Sequence, residues 1–314
     1  MVAVAAQQVV VMFIFMMVGA FSRKVGFLHE NTIADINKML LYVISPCLIL
    51  SGFFREFSRE SLNILIALLL MDAAIFVINI VLAHFIYNKH WRISAEQRVM
   101  LKFGASYTNA GFVGLPLVTA ILGAEGIFYA VPFIIVFNIF QWTHGITLFR
   151  SARGEKMTPG ESFRKVFLNP NIIASVVGIL IFVLQIPVPE ILHSAIVSIS
   201  NINAPLSMMV IGSNLLASNW KTDLKDKTTW FGIAIRNFAL PVVSILFLML
   251  IPVDDTARMA TLIQAACPVG GNTVLLSILQ GFDPKFPTRY VCISTLLSMA
   301  TLPLMIMLGT MAGI

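Results

Sequence analysis

Charge is what this chain has least of. Its 314 residues include only 15 acids and 21 Lys and Arg, together 11% of the sequence, where a soluble domain carries about 25%. Apolar residues make up 58%, and the mean hydropathy is +0.89. No wet surface can be built from that composition, which excludes a cytosolic enzyme, a disordered chain and a nucleic-acid binder. The net charge of +6 does not revive the last of these, because the basic residues fall in short loops between apolar runs. Cysteine is scarce as well. Cys47, Cys267 and Cys292 each lie inside an apolar run, without a partner at metal or redox spacing, so no disulfide framework or zinc site is predicted. Also missing are a His-Glu-x-x-His helix, a Gly-x-Ser-x-Gly elbow and a Gly-x-x-x-x-Gly-Lys-Ser/Thr loop. Direct ATP drive from this chain is thereby excluded, no cofactor is implied, and an intramembrane enzyme is a remote reading. A channel would need a continuous polar stripe or filter rings, and only discrete polar breaks are found.

What the sequence has is long apolar runs. Ten stretches approach the roughly 20 residues that cross about 30 Å of hydrocarbon. They cover Ala5–Phe21, Ile33–Phe54, Leu62–Tyr87, Ser94–Leu122, Ile127–Phe149, Asn169–Ile186, Glu190–Ser218, Thr229–Ile251, Thr256–Leu279 and Phe286–Met311. The predicted class is an all-α polytopic membrane protein. The loops sort by charge. One side carries Arg23, Lys24, Lys89, Arg92, Arg150, Arg153, Lys156, Arg164, Lys165, Lys221, Lys225, Lys227, Lys285 and Arg289; the other carries Arg55, Arg59 and Arg258. Positive charge marks the cytoplasmic side, so both termini are expected outside the cytoplasm. The basic residues of the first run follow it rather than precede it, which reads as a retained span and not a signal peptide.

The longest basic loop, 151–168, separates five runs (1–150) from five runs (169–314). An odd number per half inverts the second half, the arrangement of many secondary transporters. Pro46 and Pro205 are 159 positions apart, Arg98 and Arg258 160, Gly111 and Gly271 160. These offsets predict two inverted five-helix repeats.

Runs four and nine are interrupted. Run four holds Asn109-Ala-Gly111-Phe-Val-Gly-Leu-Pro116, and run nine holds Pro268-Val-Gly-Gly271-Asn272-Thr273. Proline removes a backbone donor and glycine eases unwinding. Unwound backbone at this depth requires a protein or polar lining. Each break also creates a half-helix N-terminus, whose free N–H groups and dipole favour an anion. Asn109, Gly111, Pro116, Pro268, Gly271, Asn272 and Thr273 are therefore candidate substrate-binding positions, with a carboxylate as the expected ligand. Ser51 and Asn138 are further candidates, each equally able to bond a neighbouring helix.

These same residues carry a resemblance. Asn109–Pro116 resembles the fourth-span motif of the auxin efflux carrier family, which includes the plant PIN carriers and bacterial malate and malonate permease-like proteins. Asn169–Gly178, Ala204-Pro205 with Ile211–Leu215, and Ser294–Ser298 with Thr301-Leu-Pro303 resemble its sixth, seventh and tenth spans. The resemblance implies ten spans in two inverted repeats, and broken fourth and ninth spans that cross beside the substrate. It also implies a scaffold of spans one, two, six and seven, elevator-like transport of an organic anion such as malate, malonate or an indole acid, and a homodimer in the cell membrane. The short central loop is similar to that of the bacterial members, so loop regulation known in the plant carriers does not carry over.

Ionisable residues inside spans are functional candidates. Asp72 is the one acid near a span's middle; Arg236 lies inside run eight, 164 positions on. They are expected either to take part in ion coupling, proton coupling above all, or to form a static pair, or Arg236 reaches a helix end. The plant carriers place a Lys one turn after their Asp, where this chain has Phe76, which weakens the transfer of a relay role. Lys102 lies a turn before the first break, where it either attracts the anion or snorkels to the interface. His84 reads as interfacial, His144 as a candidate titrating group, and Asp35 with Lys38 as an interfacial pair. A sodium-coupled symporter of the bile-acid-symporter kind is the rival reading, with Asn109, Gln264, Asn272 and Thr273 supplying oxygen.

Overall fold

A computed structural model describes residues 2–88, 93–123, 125–155, 159–216 and 225–314. Lys89, Arg92, Lys156 and Lys221, and the end of the seventh run at Ser218, lie outside the described residues. Within them the regular elements are helices. In chain order these are α1 (Val2–Lys24), α2 (Glu30–Ser51), α3 (Arg59–Ile86), α4 (Ala95–Ser106), α5 (Ala110–Leu122), α6 (Gly126–Ala152) and α7 (Pro159–Phe167). There follow α8 (Pro170–Leu184), α9 (Glu190–Leu216), α10 (Lys227–Leu248), α11 (Asp255–Ala265), α12 (Asn272–Leu279) and α13 (Lys285–Met311). Six of them, α2, α3, α6, α9, α10 and α13, are apolar and at least 22 residues long, enough for about 33 Å at the helical rise. The chain is a multi-pass membrane protein.

Polar side chains define where several helices begin. Ser58, Ser94, Asn169, Asp226 and Asp254 each accept a backbone N–H of the turn they precede, satisfying donors that no helical carbonyl reaches. Asp226 also accepts the Thr229 hydroxyl (2.7 Å) and the Arg289 guanidinium (2.6 Å), tying the start of α10 to α13. Burial pushes that carboxyl up. The Thr229 hydroxyl, the Thr228 and Thr229 amides and Arg289 outweigh it, leaving Asp226 below the usual carboxylate range.

Prolines set the shape of the long helices. Pro46, Pro116 and Pro241 each follow a wide π-type turn, at Leu40–Ile44, Ala110–Gly114 and Ile235–Ala239. A helical proline gives no N–H to the carbonyl four residues back, and a wider turn absorbs the mismatch. For Pro116 that carbonyl is Phe112, and it accepts the Ser207 hydroxyl of α9 instead (3.2 Å).

The central loop is not wholly irregular, as the sequence suggested. Residues 159–167 form α7, with Glu161 in its first turn and Arg164 and Lys165 in its last, the charge order that suits a helix dipole. Arg150 holds Glu161 at 3.1 Å. Nine residues of mixed polarity are too short to cross a membrane.

Large apolar side chains face outward. Leu70, Phe85, Ile191 and Leu250 are all more than two-thirds exposed, the inverse of a wet surface and suited to lipid. Inside, α1 and α9 meet backbone to backbone. A Cβ on Gly19 would fall inside the Met209 carbonyl, and one on Gly212 inside that of Met16. Small residues permit such approach where lipid offers no hydrophobic drive between helices. Gly212→Leu is therefore expected to lower the melting temperature of the purified protein in detergent by several degrees, since overpacking costs about 1–3 kcal/mol. An unchanged melting curve would contradict this seating of α9 on α1.

Candidate functional site

The two interrupted helices cross, and backbone hydrogen bonds join them. Asn109 N donates to Pro268 O (2.8 Å) and Gly270 N to Tyr107 O (3.1 Å), making a one-residue antiparallel bridge between Thr108 and Val269. Each break thus satisfies backbone groups the other has unwound, as burial at this depth requires. The approach leaves no room for side chains. A Cβ on Gly270 would lie 2.9 Å from Thr108 O. From α13, Ser294 donates to Asn237 Oδ1 (2.7 Å) and accepts from Val269 N (3.0 Å), pinning the second break.

On the far side of the bridge the second half-helices begin. The first helical bond of α5 runs from Val113 N to Asn109 O (2.9 Å), so the amides of Ala110, Gly111 and Phe112 precede it. In α12 the corresponding bonds start at Thr273 N and Val274 N, which leaves the amides of Gly271 and Asn272 ahead of them. Gly111 and Gly271 differ from Gly270 in facing open space: a Cβ on either meets nothing within 4 Å. The Asn109 side chain has no hydrogen-bond partner among the described residues, and Asn272 Nδ2 donates to Gln141 Oε1 (2.7 Å). Two helix N-termini, two asparagines and an open cradle at two glycines converge at one bridge.

The other sequence candidates lie as follows. Pro116 is buried in the first turn of α5, and Pro268 serves through its carbonyl. Thr273 is buried with its hydroxyl on Gly270 O (2.8 Å). Asn138 bonds its own helix at Ile134 O (2.8 Å), and Ser51 does so at Leu48 O (2.8 Å). Asn138 and Ser51 spend those donors within their own helices and are not brought to the bridge by a side-chain hydrogen bond, whereas Thr273 bonds the bridge residue Gly270. Asp35 and Lys38 are the exposed pair expected, at 2.9 Å. Lys102 Nζ lies 3.5 Å from His84 Nδ1. His144 Nδ1 and Phe140 O are each 2.9 Å from the buried Tyr107 hydroxyl, the residue that opens the first break.

Asp72 and Arg236 are both fully buried, and they do not form a pair. Asp72 Oδ1 accepts the Thr261 hydroxyl of α11 at 2.9 Å, while Oδ2 has no partner among the described residues. Arg236 reaches helix ends, one of the alternatives open from the sequence. Nη1 donates to Ala105 O (2.9 Å), Nε to Cys267 O (3.2 Å) and Nη2 to Ala265 O. A guanidinium has a fork of donors and no acceptor, and the unwound carbonyls of two helix ends match it better than one carboxylate.

Sequence reasoning missed Thr261 and the α9 contacts. Asn203 and Ser207 donate to Gly111 O (3.4 Å) and Phe112 O (3.2 Å). A signal for these existed: the proline of the first break frees the Phe112 carbonyl, which then requires a donor from elsewhere.

Long apolar helices flanking two broken, mutually bridged ones define a membrane protein of the transporter class. The chain belongs to the membrane transport protein family, that of the auxin efflux carriers, whose pattern it matches over residues 4–306. It is 21% identical over 301 residues to an uncharacterized transporter of Methanothermobacter thermautotrophicus, covering 96% of this chain and 97% of that protein. It is 22% identical over 304 residues to an uncharacterized transporter of Methanocaldococcus jannaschii, covering 94% and 96%.

The glycines of the second break yield a paired prediction. Gly270→Ala is expected to lower the melting temperature, because its methyl group meets the Thr108 carbonyl. Gly271→Ala and Gly111→Ala are expected to leave it unchanged. Equal losses at all three positions would contradict the division into a packed and an open face.

Proposed function

We propose that the protein is a secondary transporter that carries a small organic anion, a carboxylate of the malate, malonate or indole-acid kind, by elevator-type alternating access. The observation that carries this reading is the convergence of the α5 and α12 N-termini at the bridge, with Gly111 and Gly271 open beside Asn109 and Asn272. Each helix end offers free amides and a partial positive charge. The ten spans form two inverted repeats, and α1, α2, α8 and α9 form the scaffold of a homodimer in the cell membrane. The basic loops face the cytoplasm and both termini face away from it. In that orientation α12 is the cytoplasmic half of the ninth span. Gly271 is exposed at the start of that half.

Asp72 is the group proposed to couple transport to protons. It is buried, half-satisfied and bonded to α11, which leads into the second break. An unpaired carboxylate at this depth is costly, and a proton taken up there removes the cost. A second reading, sodium coupling, draws on buried oxygens that lack a hydrogen-bond partner among the described residues: Asp72 Oδ2, Gln264 Oε1 and Thr108 Oγ1. Sodium binds through such oxygens.

Uptake of radiolabelled malate, malonate and indole-3-acetate into proteoliposomes, with and without sodium and with an imposed pH gradient, tests both readings. Saturable flux of at least one anion is expected. An Asn109→Ala, Asn272→Ala double variant should raise KM by ~10- to 100-fold, the worth of about 1–3 kcal/mol of lost hydrogen bonds. No flux of any of the three anions under any gradient would refute the anion reading.

Asp72→Asn should carry flux that no longer responds to a pH gradient. An Asn variant with wild-type pH dependence would remove Asp72 from the coupling, and flux that stops without sodium would favour the second reading.

A further inference from the structure

A crossing of two broken helices has an electrostatic difficulty. It gathers two helix N-termini, but also two helix C-termini, those of α4 and α11. Each N-terminus carries roughly +0.5 elementary charge and each C-terminus roughly −0.5. Left uncompensated, the four ends sum to about zero, and the crossing has no net preference for an anion.

The final carbonyls of α4 and α11 are where Arg236 binds. Of the last carbonyls of α4, Phe103 O accepts Tyr107 N (2.8 Å), and Ala105 O accepts Arg236 Nη1 (2.9 Å). In α11, Leu262 O accepts Ala266 N, Gln264 O accepts Cys267 N, and Ile263 O accepts the Cys267 thiol (3.2 Å). Ala265 O is left for Arg236 Nη2, and Cys267 O, in the unwound segment itself, takes Nε (3.2 Å). One fully buried guanidinium spans both C-terminal ends, with no carboxylate within ion-pair distance among the described residues. Arginine keeps its charge under all ordinary conditions. Its +1 matches the roughly −1 that the two C-termini present together.

We propose that Arg236 is the residue that makes the crossing selective for anions. It cancels the two negative helix ends, so a ligand at Gly111 and Gly271 meets the uncompensated positive ends of α5 and α12. It also holds the C-termini of α4 and α11 on one planar group, which fixes where the two N-termini converge. Arg236 is thus a positioning and selectivity residue that does not itself touch the ligand. Its position on run eight, opposite Asp72 in the repeat, serves charge balance within the crossing rather than a direct ion pair. The inference rests on the anion site proposed above and adds the source of its charge preference.

The test compares the affinity of purified protein in nanodiscs for malate, malonate and indole-3-acetate with that for their neutral methyl esters. Wild-type protein should prefer at least one acid over its ester. Arg236→Gln keeps hydrogen-bonding capacity but loses the charge, and should reduce that acid-to-ester preference at least tenfold. Arg236→Lys keeps the charge but not the fork, and should stay within about threefold of wild type. Melting curves identify folded variants. An unchanged ratio in folded Arg236→Gln would overturn the inference and leave the anion site standing. So would Arg236→Lys losing as much preference as Arg236→Gln. Should Arg236→Gln fail to fold, Arg236→Met, which also removes the charge, is read in its place: an at least tenfold loss of preference in folded protein upholds the proposal, and an unchanged ratio overturns it. Wild-type protein that binds none of the three acids would refute the anion site itself, and this inference with it.

Discussion

Two backbone hydrogen bonds, Asn109 N to Pro268 O and Gly270 N to Tyr107 O, hold the centre of this protein together. A helix in lipid is stable because every amide and carbonyl is paired within it. Breaking one such helix exposes several groups that neither lipid nor an apolar core can satisfy. Breaking two at the same depth and crossing them lets each supply what the other lacks. The bridge is short because only a few groups are freed, and it is close because Gly270 has no side chain. Much around it follows from that requirement. Ser294, held by Asn237, is turned toward Val269, Ser207 and Asn203 reach the carbonyls of the first break, and Arg236 gathers what remains.

The apolar runs were legible because hydropathy reports directly on lipid, and the helices begin and end close to the bounds the composition suggests. The breaks were legible because Gly, Pro and Asn together at mid-span have few other uses. What each break binds was not legible. Backbone carbonyls carry no residue identity, so the three partners of Arg236 leave no trace in the sequence, whereas Asp72 stood out as an oppositely charged residue near the repeat offset. Thr261 was invisible for a related reason. Threonine is common in apolar helices, where its hydroxyl usually bonds its own preceding turn, as Thr119 and Thr143 do here. The helix in the central loop was hidden because nine residues with charges at both ends look like a solvated connection until the charges are seen to follow the helix dipole.

The two breaks are similar in sequence but not equivalent in their surroundings. Asn272 is engaged by Gln141, while Asn109 keeps its side chain free among the described residues. The first break is braced by Asn203 and Ser207 of α9, and Gly271 at the second is exposed. The inequality arises because α9 reaches one half through hydrogen bonds to freed carbonyls. A movement that carried the crossing along α9 would have to break those bonds, and they are weak enough, at about 1 kcal/mol each, to be exchanged.

The buried charges divide the work of the crossing between them. Arg236 has its donors on three carbonyls and no competing acid, so any change of state would strand a buried cation and several carbonyls at once. It belongs to what stays constant. Asp72 has one oxygen satisfied by a neutral hydroxyl and one satisfied by nothing among the described residues. A proton or a cation arriving at that oxygen would gain a partner without breaking an existing bond. The group able to change is therefore the one left half-paired, and it sits against α11, the helix whose far end Arg236 holds. On the function proposed above, coupling between an ion at Asp72 and an anion at Gly111 and Gly271 would need no long path. It would need only that α11 be stiff, and α11 is clamped at its C-terminus by Arg236, while the unwound segment that follows it is bonded to the first break through Pro268.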